Sequence, residues 1–527
     1  MLFNSLPFVC YLICTIVLYY LMPKKVQWIF LLIASYVFYA LADPRYLIFI
    51  ITTTVSVWFI ALKVEKINTE QNDYLQAHKK ELSKEEKQAY KNKMKSKRWK
   101  WLLLCLFFNL GILSVTKYTN FVLSNVVGLF LGDKAFQPID LIIPLGISFY
   151  TFQSLGYVID VYRGKQEAQH NIFKFALFVS FFPQLAQGPI SRYGDLAPTL
   201  LAPHKFERKT FSYGAMRILW GYFKKVVLAD RILAGVTTLI SGGEYTGAYV
   251  FCAMMFYAFE LYCDFTGGID ITIGIAEAMG IRVTENFNLP YFSKNIKEYW
   301  NRWHITMGTW FTDYLFYPLS VCSPMLKLSK WSRKHLPKAI GKRVTVYLSC
   351  FIVWLATGIW HGAAWNFIVW GLTNYVVIMV SQELEPLYAK FHAKFHLKGK
   401  PPYEVFQILR TVFLMSMIRM FDCYRNVPLT FKMLGSMFTS FKISTFFDGS
   451  LLNIGLTASD YAVLVVGFAV VLGVSIMKLK CDNVRDKFYD KPGLLFYNIM
   501  ALLLVVILVF GAYGVGYDST QFIYGQF

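Results

Sequence analysis

The chain has 527 residues, of which 56% are hydrophobic, 18% aromatic and only 16% charged, with a mean hydropathy of +0.43. Soluble domains carry about 25% charged residues, so polar side chains are too few here to cover several soluble domains. The aromatic content excludes a disordered chain, and collagen-like, coiled-coil and disulfide-scaffold compositions are excluded as well. An all-α polytopic membrane protein, embedded in the lipid bilayer, is expected. The formal charge of +21 comes with no basic soluble module. It reads as the Lys/Arg excess of short cytoplasmic loops, and no nucleic-acid partner is expected. The nine Cys sit mostly in apolar runs without a CxxC pair, where they behave as small hydrophobes.

The first apolar run, residues 6–22, has no basic residue before it, Lys24 and Lys25 after it, and no small-residue cleavage site. It reads as a retained span with its N-terminus outside and the two lysines inside. Runs at 28–42 and 46–62 bring the chain out and back in, each near the length that crosses about 30 Å of hydrocarbon. Residues 63–100 are the most polar stretch, with twelve Lys/Arg against six Asp/Glu. From Ser83 to Lys100 there is no Pro or Gly, which predicts a charged helix on the cytoplasmic face: either a solvated, headgroup-contacting element or a dock for an acidic donor.

Further apolar runs follow at 101–127, 141–157, 173–185, 215–240, 249–262, 344–360, 365–380, 405–420, 461–477 and 494–512. Pro144, Gly146, Gly156, Pro183 and Pro189 interrupt two of these stretches, and broken segments at membrane depth are tolerated where they pack in protein or line a cavity. About 11 full spans plus re-entrant or interfacial helices are expected. Residues 327–343 and 478–491 are basic and are assigned to the cytoplasm, which puts the C-terminus outside. No internal repeat is visible, against an inverted-repeat transporter.

Two of the eight His stand out. His361 closes an apolar run, and on a helix it shares a face with Trp354 and Gly358. His304 follows Trp300-Asn-Arg-Trp303 and opens an aromatic stripe of Trp303, Met307, Trp310 and Tyr314. An ionisable group in a membrane segment is a functional candidate. The alternatives are a core imidazole, a metal site, for which no third ligand has recognisable spacing, and a transporter's proton relay. Asp264-Phe-Thr-Gly-Gly268 reads as a break between helices, with Asp264 capping the second. An imidazole, with an ordinary pKa of about 6.5, suits removal of a hydroxyl proton as a thioester is attacked, in a cavity that keeps water from the thioester.

The segments Tyr262-Cys-Asp264-Phe-Thr-Gly-Gly-Ile-Asp270, Glu285-Asn-Phe-Asn-Leu-Pro290, Glu298-Tyr-Trp300-Asn-Arg-Trp303-His304, Trp310-Phe-Thr-Asp313-Tyr and Gly358-Ile-Trp360-His361-Gly-Ala-Ala-Trp365 together resemble the membrane-bound O-acyltransferase (MBOAT) family, in its alginate O-acetyltransferase branch, with the teichoic-acid D-alanyltransferases as near relatives. The resemblance reaches from the N-terminus to about Tyr375, and departs at Thr312, where the family pattern has Arg, and in the 63–100 insertion. It implies a helical fold around a catalytic tunnel, with His361 catalytic, His304 shaping the tunnel, and Asp264, Trp300, Asn301, Trp303, Asp313, Trp360 and Asn366 along it. It also implies N-terminal helices at 1–62, the charged insertion at 63–100, a catalytic core at 101–420 and C-terminal helices at 421–527. Implied too are a bacterial inner-membrane location, no permanently bound cofactor or metal, and a cytoplasmic acyl thioester donor, acetyl-CoA foremost, or an acyl carrier protein. An SGNH-type extracytoplasmic acyltransferase would be the partner that esterifies a polysaccharide. Finally, Phe522-Ile-Tyr524-Gly-Gln-Phe527 resembles the C-terminal motif of the acyl-relay peptide that works with the D-alanyltransferase. That resemblance makes Tyr524 a candidate acyl carrier; the other reading is an aromatic interfacial belt.

Overall fold

The computed structural model describes residues 4–132, 136–185, 187–241, 243–481, 483–491 and 494–513. Among these residues helices and loops account for the whole structure, with no strand. Tyr524 lies outside the described residues. Among those described, six helices are long and apolar enough to cross a bilayer, seven if the bent pair Trp365–Glu383 and Glu385–Phe395 counts as one span. Leu6–Leu21 and Leu495–Phe510 are apolar but shorter.

The chain divides into two compact units, Met1–Ser212 with Ile275–Thr284, and Tyr213–Gly274 with Glu285–Phe527. In the first unit the charged insertion is the tip of a helical hairpin. Tyr46–Ala77 continues unbroken from its apolar half into the polar one, and Lys84–Leu131 returns. Ser83 caps the return helix: its hydroxyl accepts the Glu86 N–H while the Glu86 carboxylate accepts the Ser83 N–H, a reciprocal pair that satisfies two orphan donors. The helix expected over 83–100 is thus present, and Lys91, Lys93, Lys95, Lys97 and Lys100 stand exposed on it. Gly146 adopts φ +69° ahead of Ile147–Tyr162, as a left-handed entry residue without a Cβ can. Gly156, by contrast, lies buried inside that helix and breaks nothing. Where the prolines interrupt the next run, Ile172–Ser180 ends and the Phe182 N–H is taken up by the Ser35 hydroxyl at 3.1 Å.

The long helix Ala248–Ala278 belongs to the second unit as far as Gly274. It corrects the sequence reading of Asp264–Gly268, which is continuous helix rather than a break. The two glycines serve close packing instead. A Cβ on Gly267 would come within 2.9 Å of the Gly221 carbonyl oxygen, and one on Gly221 within 2.6 Å of that of Gly267. Small residues let backbones approach in this way in membrane proteins, where hydrophobic burial does not drive helices together. Just beyond Gly221, residues Phe223–Ala229 wind as a π-helix, a widened turn often found at functional places. Two consecutive lysines there reach the same partner helix. Lys224 Nζ binds Asp270 at 2.6 Å and the Thr266 hydroxyl at 2.8 Å, while Lys225 Nζ binds Asp264 at 2.5 Å and Asp230 at 2.6 Å. Arg217 completes the network, on Asp270 at 2.9 Å and on both Glu285 oxygens at 2.6 and 2.7 Å. Charges this deep hold only when paired, so the network fixes the register of the two segments.

Valine at Gly221 or Gly267 is expected to destabilise the protein by about 1–3 kcal/mol through overpacking. Gly473→Ala, at a position where a Cβ meets nothing within 4 Å, should not. Thermal unfolding in detergent, compared across the three variants, checks this; equal melting temperatures would contradict it.

Candidate active site

Both histidines sit at helix ends in the second unit. Val344–His361 ends on His361 because Gly362 leaves the helical region for extended backbone, φ −173° and ψ 156°. The helix Trp365–Glu383 then returns against it. Gly358 permits that contact, since a Cβ there would come within 2.6 Å of the Phe367 carbonyl oxygen. The face expected from spacing is present. The Trp354 ring lies 6.2 Å from that of Trp370, and the His361 ring 4.6 Å from it, edge on.

His304 precedes the short helix Ile305–Phe311 with φ 48° and ψ 53°, a left-handed conformation that costs a non-glycine residue energy and clusters at functional sites. Asn286 holds it there. Its side-chain oxygen accepts the Thr306 N–H at 3.0 Å and hydroxyl at 2.9 Å and lies 3.3 Å from His304 Nδ1. Its backbone carbonyl takes the Ile305 N–H at 2.9 Å. The ring packs edge-on against Phe265 at 5.0 Å and Trp360 at 6.0 Å. Burial, and after it the Arg419 charge, hold the His304 imidazole below its ordinary pKa, so it is neutral near pH 7. Both imidazoles are buried, His304 at 1% exposure and His361 at 9%.

Arg419, on Pro401–Tyr424, packs against the tryptophans of the same cluster. Its guanidinium carbon is 4.9 Å from the ring centre of Trp303, 5.2 Å from Trp370 and 5.6 Å from Trp300. Its Nη1 donates to Asp422 at 3.2 Å, both side chains being buried. A desolvated cation over an indole face contributes about 2 kcal/mol, so three faces together can hold a charge that the interior would otherwise expel. Trp303 and Trp370 in turn connect Arg419 to the two histidines: Trp303 stacks on Tyr299 at 5.6 Å and meets Phe265, whereas Trp370 touches His361. Trp360 bridges the pair, with ring centres 6.0 Å from His304 and 5.0 Å from His361.

Of the residues singled out in the sequence, His304, His361, Trp300, Trp303 and Trp360 come together here. Asn366 is buried beside them, its amide donating to the Phe421 carbonyl at 3.2 Å. Asp264 belongs to the Lys225 network, one residue from Phe265, which faces His304. Asp313 is half-buried in a second π-helical segment, Thr312–Phe316. That segment and the extended Trp303 interrupt the helical stripe expected from Trp303 to Tyr314, although Trp310 and Tyr314 still meet at 5.3 Å. Asn301 is exposed, and Thr312, where the family pattern has Arg, is exposed too and turns its hydroxyl back to the Gly308 carbonyl.

The comparisons with known proteins agree with this architecture. Residues 166–423 match the family model described as MBOAT, membrane-bound O-acyltransferase family, a stretch that holds both histidines, Arg419 and the glycine-packed helices. A peptidoglycan O-acetyltransferase of Helicobacter pylori is 30% identical over 402 residues, 71% of this chain and 67% of that protein. The chain belongs to the membrane-bound O-acyltransferase family. A probable alginate O-acetylase of Pseudomonas aeruginosa is 32% identical over 375 residues, covering 70% of this chain but 63% of the relative. The chain therefore spans under two thirds of that MBOAT relative's length. A teichoic acid D-alanyltransferase of Bacillus subtilis is 28% identical over 305 residues, covering 53% of this chain and 74% of that protein. As a member of this family with several apolar helices, the protein is a multi-pass membrane protein.

Sequence reasoning missed Arg419, Asp422, Asn286 and Trp370. The pair Arg419 and Asp422, one helical turn apart in the stretch 405–424, was a visible signal; Asn286 lies in a segment that carries the family resemblance but was not singled out, and Trp370 gave no signal. Arg419→Met is expected to cost about 3–5 kcal/mol by stranding Asp422. Arg419→Met with Asp422→Leu should recover part of that loss, as read by thermal unfolding. A double variant no more stable than Arg419→Met would contradict the pairing.

Proposed function

We propose that the protein is an O-acyltransferase that moves an acyl group, acetyl foremost, from a thioester donor on the cytoplasmic side to a hydroxyl acceptor, for O-acylation of an extracellular or cell-wall polysaccharide. The observation that carries this reading is His361 ending its helix at the edge of a buried indole core, beside a neutral His304. His361 accepts the proton of the attacking hydroxyl as the hydroxyl oxygen bonds to the thioester carbonyl carbon. The carbon–sulfur bond breaks, the thiolate takes up the proton, and an ester and a free thiol result. The buried indole N–H of Trp370 has no acceptor among the described residues and is a donor of the kind that stabilises a carbonyl oxygen gaining charge. The aromatic packing supports exclusion of water from the thioester.

In this reading the donor is acetyl-CoA or an acyl carrier protein, the exposed lysines of 91–100 form its dock, and an SGNH-type extracytoplasmic partner completes the esterification in or on the bacterial inner membrane, with both termini outside. The terminal Phe-x-Tyr-x-x-Phe pattern favours a second reading, D-alanyl transfer to an envelope polymer with Tyr524 as intermediate carrier. His361→Ala is expected to abolish O-acetylation of the exported polymer while the protein remains in the membrane at its normal level. Acetylation at the normal level in that variant would contradict the assignment. Tyr524→Phe keeps the ring and removes only the oxygen, so acylation falls to background if the acyl group rests there and is unchanged if transfer bypasses the tail.

A further inference from the structure

A second site lies away from the histidines. The helices Ala458–Lys480 and Leu495–Phe510 both lean on the π-helical segment Phe223–Ala229, and between them runs a groove of about 910 Å³. Its walls are apolar along nearly the whole length: Val466, Val470 and Val474 on one helix, Leu502 and Val506 on the other, and Phe223 at the back. Leu495–Phe510 alone has 16 residues, about 24 Å of helix, so the groove is of the order of one bilayer leaflet or more. It opens sideways, since Val466 is 64% and Leu502 63% exposed, on a surface that faces hydrocarbon in a multi-pass membrane protein.

Polar groups gather at one end only, where Arg217, Asp270, Glu285, Lys478 and Arg485 line the mouth. The two carboxylates there are already held: Arg217 binds both, and Lys224 binds Asp270 as well. Lys478 is exposed at the mouth, and Arg485 is positioned by its bond to the Tyr213 carbonyl at 2.9 Å, with its guanidinium 4.8 Å from the Tyr213 ring centre. A long apolar slot with a cationic mouth fits a molecule of the same polarity pattern. We propose that this groove is a binding site for an anionic phospholipid, its phosphate at Lys478 and Arg485 and its acyl chains between the two helices. Phosphate geometry suits a guanidinium, and basic pockets between membrane helices hold anionic headgroups in this manner. The site is separate from the histidine core and serves the fold by filling the space that Ala458–Lys480 and Leu495–Phe510 leave open.

The test is native mass spectrometry of the full-length protein, released from nanodiscs of equal parts phosphatidylglycerol and phosphatidylcholine with identical chains. One phosphatidylglycerol is expected to be retained in preference to phosphatidylcholine. Lys478→Ala should weaken that preference about fivefold, the effect of one cation near a membrane surface, and Val470→Trp, which fills the slot, should abolish retention while circular dichroism is unchanged. Equal retention of the two lipids, or retention by Val470→Trp at the wild-type level, would overturn the proposal. So would retention that occurs only after residues 514–527 are removed, because the tail would then be the natural occupant. If Val470→Trp misfolds, Val466→Trp at the open edge repeats the measurement.

Discussion

A guanidinium enclosed by three indoles holds the candidate active site together. Arg419 has its guanidinium within 4.9–5.6 Å of the ring centres of Trp303, Trp370 and Trp300, each from a different part of the second unit's sequence or a different helical turn. Besides the rings, Asp422 and the Tyr299 hydroxyl face the same guanidinium. The arrangement matters chemically because Trp303 and Trp370 lie on the paths to His304 and His361. A rigid indole frame sets where an imidazole can point, and preorganised geometry of that kind is what acyl transfer needs.

The lysine network is anchored on the helix Ala248–Ala278, which also carries Phe265. Asp264 and Phe265 are neighbours on that helix, yet one anchors Lys225 while the other packs on His304. Paired charges at this depth give little net stability, but they penalise every alternative register, and the Gly221–Gly267 contact does the same by sterics. The π-helix reconciles the two by letting consecutive residues, Lys224 and Lys225, reach separate acids on the same partner helix.

Much of this was legible in the sequence, for reasons that differ residue by residue. The Trp354–Gly358–His361 face follows from helical spacing, and the charged helix from Ser83 to Lys100 from the lack of Pro and Gly there, because both are local. His304 stood out by its neighbours, but its left-handed backbone did not, since that depends on Asn286 eighteen residues earlier. Asp264-Phe-Thr-Gly-Gly268 was misread because glycine pairs mark either a break or a close helix contact, and only the partner, Gly221, decides. Arg419 was overlooked because its value lies in three tryptophans separated from it by 49 to 119 positions. Non-local partners of this kind leave no periodicity to read.

The claim that joins these elements is acyl transfer dependent on His361, and thiol release tests it most directly. Purified protein in nanodiscs would be given acetyl-CoA with a soluble hydroxyl acceptor, and free thiol followed with a colorimetric reagent alongside His361→Ala. The account predicts thiol release by the wild type, with acetyl ester formed in equal amount, and none above the uncatalysed rate by the variant. Equal thiol release by the two proteins would contradict it.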